Sequence, residues 1–138
     1  MNHSRAVRLT IPARPEYIAL CRLALAGLSR TTDLDDELVA DLKLALTEAC
    51  SNSIRHAYPE GGGTVEVLYE LTPDRIVIEV ADDGGGFTAA AGHPEGAAEL
   101  SEGGLGMAIM RAIADELELG PREDGSGSRL RLVKRLGA

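Results

Sequence analysis

Three short stretches of the chain hold residues whose types and spacing could do chemistry. In the first, Leu44, Glu48, Asn52 and His56 stand four apart, so on a helix they form one slanting row along the cylinder. The row turns from apolar to polar halfway. Leu42, Ala45 and Ala49 fall on the adjoining apolar stripe, which puts Glu48 and Asn52 at the border of the core. A single Glu or Asn on such a border is ordinarily a solvated helix edge. Asn is a poor mid-helix residue, however, because its amide competes for backbone hydrogen bonds, so its presence there calls for a reason. One turn apart stand a carboxylate able to take a proton and an amide oxygen able to ligate a hard cation.

The second stretch, Asp82-Asp83-Gly84-Gly85-Gly86-Phe87, follows an alternating apolar run. Its plain reading is a flexible strand exit. Its chemical reading is that glycines let a ligand approach the backbone while the preceding Asp accepts from an amino group. The third stretch, Gly103-Gly104-Leu105-Gly106, opens a helix-like segment. Unpaired N–H groups and the positive end of the helix dipole at such a start can cradle phosphate without a basic side chain.

The spacing of apolar residues predicts the elements that carry these stretches. Val7, Leu9 and Ile11 alternate with polar neighbours up to Pro12, as in a strand with one buried face. Pro15 opens a helix in which Ile18, Cys21, Leu25 and Leu28 recur at three- and four-residue steps. Thr32 and Asp33 can cap a second helix, with Asp35, Asp36 and Glu37 in its first turn and an end near Ala57. After Gly61, Gly62 and Gly63, residues 64–71 and 75–81 alternate on either side of Thr72-Pro73-Asp74, the pattern of an antiparallel hairpin. Residues 84–104 hold seven glycines and Pro94 with no clean period, which predicts a long functional lid. A third helix should run from near Leu105 to about Asp115, carrying Met107, Ile109, Met110 and Ile113. A last hairpin, over about 117–122 and 129–135, closes the chain. Hairpins, not strands alternating with helices, predict an α+β fold: a two-layer sandwich with a mainly antiparallel sheet and helices on one face.

Composition narrows the functions. A chain of 138 residues fits a single domain, residues 1–138. Fourteen Lys+Arg against 22 Asp+Glu give a net charge of −8 with no basic block, which disfavours direct contact with nucleic acid or an anionic membrane. No apolar run nears the roughly 20 residues that cross a bilayer. Cys21 and Cys50 lie in helix-like segments behind an N-terminus with no apolar signal core, so free thiols and a cytoplasmic location are expected. His3, His56 and His93 lack metal-ligand spacing.

Taken in order, Glu48-x-x-x-Asn52, Asp82-x-Gly84-x-Gly86 and Gly104-x-Gly106 resemble the N, G1 and G2 boxes of the GHKL (Bergerat-fold) ATPases, which include gyrase, heat-shock chaperone ATPases, histidine kinases and mismatch-repair ATPases. Within that superfamily, the run from Leu44 to Tyr58, with Thr47-Glu48-Ala49, Asn52 and His56-Ala57-Tyr58, is similar to the anti-sigma-factor serine kinases. Gly127-Ser128 resembles that family's Gly-Thr, with Ser in place of Thr. The resemblance covers essentially the whole chain and implies a kinase that binds ATP and Mg²⁺, sequesters a sigma factor, phosphorylates an anti-anti-sigma protein on serine and forms a homodimer. It implies that Glu48 is the general base, that Asn52 ligates Mg²⁺, and that Asp82 accepts the adenine amino group. Gly84 and Gly86 would make room for base and ribose; Gly104, Leu105 and Gly106 would wrap the phosphates, and Ser128 would join the nucleotide site.

Two features depart from the pattern. Residues 84–104 contain no Lys or Arg, so Arg55 or Arg111 would have to supply a cation to the phosphates. Asp83 beside Asp82 adds a second negative charge near the pocket. A module that binds its partners and nucleotide without catalysis is the alternative function. A dinucleotide oxidoreductase is disfavoured: Gly84-x-Gly86-x-x-Ala89 has the right letters, but a Pro- and Gly-containing stretch follows where that fingerprint needs a helix. No Gly-Lys-Ser/Thr of a P-loop occurs.

Overall fold

A computed structural model describes residues 5–32, 34–58, 62–83, 104–122 and 127–136. Gly84, Gly86 and the expected lid up to Gly103 lie outside them. Strand β1 (Arg5–Pro12) pairs with β2 (Thr64–Thr72), which turns into β3 (Arg75–Asp82); β5 (Ser128–Arg135) joins the other side of β3, and β4 (Glu116–Pro121) closes the row. Every neighbouring pair is antiparallel, in the order β1-β2-β3-β5-β4. Helices α1 (Ile18–Ser29), α2 (Asp36–Ala57) and α3 (Gly104–Ile113) supply the second layer of an α+β sandwich. This is the expected fold class.

Strand alternation decides which face meets the helices. Val65, Val67, Tyr69 and Leu71 of β2 and Ile76, Ile78 and Val80 of β3 are buried, and they meet Cys21 and Leu25 of α1, Leu42, Ala45, Leu46, Ala49 and Cys50 of α2, and Met110 of α3 in one core. Tyr69 is fully buried and donates its hydroxyl to the Cys21 carbonyl at 2.8 Å, so its polar tip is satisfied within apolar surroundings. The opposite face of the sheet carries charges instead. Glu79 pairs with Arg129 at 3.2 Å and Arg131 at 3.5 Å, and Arg8 lies 3.8 Å from Glu66. Those opposite charges on neighbouring strands pair across that face, around the buried Val77 and Val133.

Two boundaries differ from the sequence expectation, each for a local reason. The cap of α2 is Asp35, whose Oδ2 accepts from the Leu38 N–H at 3.3 Å, not Thr32 or Asp33. Thr31 and Leu34 are still bonded to the end of α1: the Thr31 N–H donates to the Leu28 carbonyl and the Leu34 N–H to the Ser29 carbonyl. Helix α3 stops at Ile113, short of Asp115. There the Asp115 N–H donates to the Val133 carbonyl at 2.8 Å and its carboxylate accepts from the Arg135 N–H at 2.6 Å, so the chain has already joined the sheet.

Cys21 and Cys50 are free, as expected, and buried on facing helices. The hydrogen bond with Cys21, together with burial, pushes the Cys50 thiol well above the ordinary thiol range. Among the described residues no helix is long and apolar enough to cross a membrane.

Candidate functional site

Helix α2 carries half of the site. Leu42, Ala45 and Ala49 anchor its inner stripe, which leaves Glu48 and Asn52 half-buried at the rim. As an i, i+4 pair their side chains rise from neighbouring turns, with Cβ atoms roughly 6 Å apart. Leu44, one turn earlier in the same row, is exposed, as is His56 at its far end.

The start of α3 packs onto this row. A Cβ placed on Gly106 would stand 2.5 Å from Glu48 Oε1, so only a glycine allows that approach. Gly106 is buried and Leu105 is 75% exposed, while Gly104 is the first residue of the helix. The N-terminal end of α3, where backbone N–H groups lack intrahelical partners, is thereby set beside Glu48.

The end of β3 supplies the other half. Asp82 is 3% exposed, and its Oδ2 accepts from the Ser53 hydroxyl at 2.7 Å and the Ser128 hydroxyl at 2.8 Å. The Ser128 N–H approaches Oδ1 at 3.4 Å. Gly127 makes this possible: its φ is +110°, and a side chain there would strike the Asp82 carbonyl oxygen. Ser53 follows Asn52 directly, so α2 touches the acid of β3 through the residue adjoining the amide. Glu48, Asn52, Asp82, Gly106 and Ser128 thus converge on one end of the sandwich, where α2 meets α3 at Gly106 and β3 at Asp82. Gly84 and Gly86 fall outside the described residues.

Asp83 does not crowd Asp82. Successive strand residues point to opposite faces, and Asp83 is exposed, paired with Arg122 Nη1 at 3.1 Å. Arg122 also reaches Glu66 at 3.4 Å. The expected second negative charge is therefore turned outwards and neutralised by a cation on the far side of the sheet.

The contacts of three residues escaped the sequence reading. Ser53 is a polar residue in the buried row of Leu46 and Ala49, and that interruption was a usable signal. Tyr58 caps the α2 terminus: its hydroxyl donates to the Thr64 carbonyl and accepts from the Asp83 N–H, both at 2.9 Å, tying the helix end to both strands of the hairpin. Arg122 gave no local signal. Of the two cations expected to serve phosphate, Arg55 stands at the site, with Nη2 donating to Asn52 Oδ1 at 2.7 Å, and Arg111 is exposed in the last turn of α3.

The donor set bears on a metal. Asn52 Oδ1 is a hard oxygen of the kind Mg²⁺ accepts, and it already holds a positive group in Arg55. No cluster of three His, Cys, Asp or Glu that could hold a metal ion occurs among the described residues.

Known proteins resemble the chain over its length. The histidine kinase-like ATPase domain family matches residues 11–134. The serine-protein kinase RsbW of Bacillus subtilis (strain 168) is 31% identical over 98% of this chain and 88% of its own length. That of Bacillus pumilus (strain SAFR-032) is 36% identical, over 82% and 76%. A solved structure of the RsbU and RsbW domains of a Mycobacterium tuberculosis protein shares the fold, with a TM-score of 0.70 at 19% identity, over 96% of this chain and 32% of that one. One chain of the SiaB–SiaC complex from Pseudomonas aeruginosa does so with a TM-score of 0.68 at 17% identity, over 92% and 88%. By these matches the chain belongs to the histidine kinase-like ATPases and, among them, to the serine-protein kinases.

Proposed function

We propose that this protein transfers the γ-phosphoryl group of Mg-ATP to a serine of an anti-anti-sigma protein, and holds a sigma factor when that antagonist is phosphorylated and released. The observation that carries the reading is the convergence on α2 of a carboxylate, an amide oxygen and the buried Asp82, with the start of α3 against the carboxylate. Glu48 takes the proton of the attacking serine hydroxyl as the new O–P bond forms and ADP leaves. Asp82 accepts the adenine amino group. The N–H groups of Leu105 and Gly106, at the head of α3, receive phosphate oxygens, with Gly84, Gly86 and Gly104 giving the nucleotide room. Mg²⁺, held by Asn52 Oδ1 and the nucleotide's own phosphates, would offset charge on the transferring group. Arg55, already on Asn52 Oδ1, is the cation placed to move onto a phosphate.

The same reading includes a homodimer in the cytoplasm, in keeping with two free buried thiols. Residues 84–104 are taken as the lid over the nucleotide. Incubation with Mg-ATP and the antagonist is expected to yield phosphoserine, and Glu48→Gln to lower transfer by about a hundredfold or more while leaving ATP bound. Equal turnover by the two forms would remove Glu48 from its role. ATP binding with no transfer by the wild type would favour the non-catalytic binding module.

A further inference from the structure

The chain has two cysteines, and they face each other across two helices. Cys21 sits on α1 and Cys50 on α2; both are 0% exposed, and the Cys50 thiol donates a hydrogen bond to the Cys21 sulfur. That bond, with the Arg22 charge, lowers the Cys21 thiol against the effect of burial, so Cys21 is the sulfur that ionises first. The seam between the helices is bridged beside them: Arg22, next to Cys21, donates to the Thr47 hydroxyl, one turn before Cys50, at 3.1 Å. Phosphoryl transfer as read above uses neither sulfur. Their position nevertheless bears on it. Cys50 lies between Glu48 and Asn52 in the sequence, on the side of α2 that meets α1, whereas Glu48 is on the side that meets Gly106 of α3. An S–S bond is about 2.05 Å long, shorter than any hydrogen-bonded contact of two sulfurs, so making it draws α2 towards α1. A close-packed interior passes such a displacement on, and Glu48 is pulled from Gly106.

We propose that Cys21 and Cys50 are a redox switch: a peroxide joins them in a reversible disulfide that ties α1 to α2 and lowers phosphoryl transfer by drawing Glu48 off the head of α3. Hydrogen peroxide, close to water in size, reaches them through the Arg22–Thr47 seam. The Cys21 thiolate attacks one peroxide oxygen, the O–O bond breaks, and a sulfenic acid and one water result. The Cys50 sulfur then attacks the sulfenic sulfur, the S–S bond forms, and the hydroxyl leaves with the Cys50 proton as a second water. Two thiols and one peroxide thus give one disulfide and two waters, with both electrons going to the peroxide. The effect on transfer rests on Glu48 being the base; the cross-link does not.

The test treats the reduced full chain with hydrogen peroxide in the absence of denaturant, quenches with catalase, and alkylates the cysteines after unfolding. Intact mass should show that both alkylation sites are lost in a monomeric chain, and a digest should yield one peptide linking Cys21 to Cys50. Transfer from Mg-ATP to the antagonist should fall by about a hundredfold, the scale of a 1 Å displacement at a reacting group, and dithiothreitol should restore it. That recovery separates the disulfide from methionine oxidation, which dithiothreitol does not reverse. Cys21→Ala and Cys50→Ala should keep their own reduced-state transfer rates after the same treatment. Two alkylatable cysteines after peroxide, or a sulfinic acid on Cys21 without the linked peptide, would overturn the inference. A complete cross-link with unchanged transfer would overturn its regulatory role. Absence of transfer by the reduced wild type would overturn the kinase reading instead, a failure seen before any oxidant is added.

Discussion

The carboxylate of Glu48 rests against the backbone of Gly106, close enough that a methyl group on Gly106 would stand 2.5 Å from Oε1. The Glu48 carboxylate, the proposed proton acceptor, and the head of α3 are thereby held together by the lack of a side chain. Gly106→Ala should push the carboxylate aside. A shift of about 1 Å at a reacting group can cost roughly a hundredfold. Steady-state kinase assays should show kcat falling by about that factor, with ATP affinity changed much less.

Tyr58 ties the end of α2 to the strands through two 2.9 Å bonds. Tyr58→Phe keeps the ring and deletes both bonds, leaving the Asp83 N–H without this acceptor. The expected cost is about 1–3 kcal/mol, read as a lower denaturant midpoint at unchanged slope. ATP affinity should fall with it, because Asp82 adjoins the released peptide.

Arg55 should matter to phosphate more than to the fold. Its guanidinium is exposed at the α2 terminus on Asn52 Oδ1, so Arg55→Gln is expected to leave the melting temperature nearly unchanged. Loss of a charged hydrogen bond of about 1.5 kcal/mol would raise the KM for ATP roughly tenfold. An unchanged KM would reduce Arg55 to a brace on the amide.

The buried thiol pair predicts resistance to alkylation. Both sulfurs belong to fully buried residues, and although the bond to Cys50 lowers the Cys21 thiol while that bond and burial raise Cys50, the lack of access decides: the native protein should stay unmodified by iodoacetamide at pH 8 and react only on unfolding. Counting modified cysteines by mass spectrometry along a denaturant series checks this. Labelling that precedes the unfolding transition would contradict it.

Asp115 gives a pH dependence of definite sign. Its carboxyl is held below the usual carboxylate range, first by the Arg135 N–H at 2.6 Å and then by the charges of Lys134 and Arg135. A lowered folded-state pKa stabilises at pH values above the unfolded one and is lost as pH falls through the folded one. Asp115→Asn should therefore melt below the wild type at pH 7, and the gap should narrow below about pH 4. Melting curves across that range decide it.

Much of this architecture was legible because it is written in short-range periods. The alternation of Val65, Val67, Tyr69 and Leu71 named the buried face of β2, and the stripe Leu42, Ala45, Ala49 set Glu48 and Asn52 at the rim. What stayed hidden depended on distant partners. Thr32, Asp33 and Asp35 are all capable caps, and the choice of Asp35 follows from the turn that Ser29 imposes on Leu34. The separation of Asp82 from Asp83 follows from pleating, yet the cation that receives Asp83 lies 39 residues away. Ser53 and Ser128 meet Asp82 across 29 and 46 residues, contacts that no local pattern encodes.

The β2–β3 hairpin places Val65 opposite Asp82 and Thr72 opposite Arg75, with only Pro73 and Asp74 between the strands. Thr72 fastens that connection by donating to Asp74 Oδ1 at 2.6 Å. One residue more or less in it would offset the pairing by a step and exchange inner for outer along β3. Asp83 would then face Ser53 and Asp82 would face Arg122. The identity of the acid in the pocket is thus counted out roughly 25 Å away, at the end of the sandwich farthest from it.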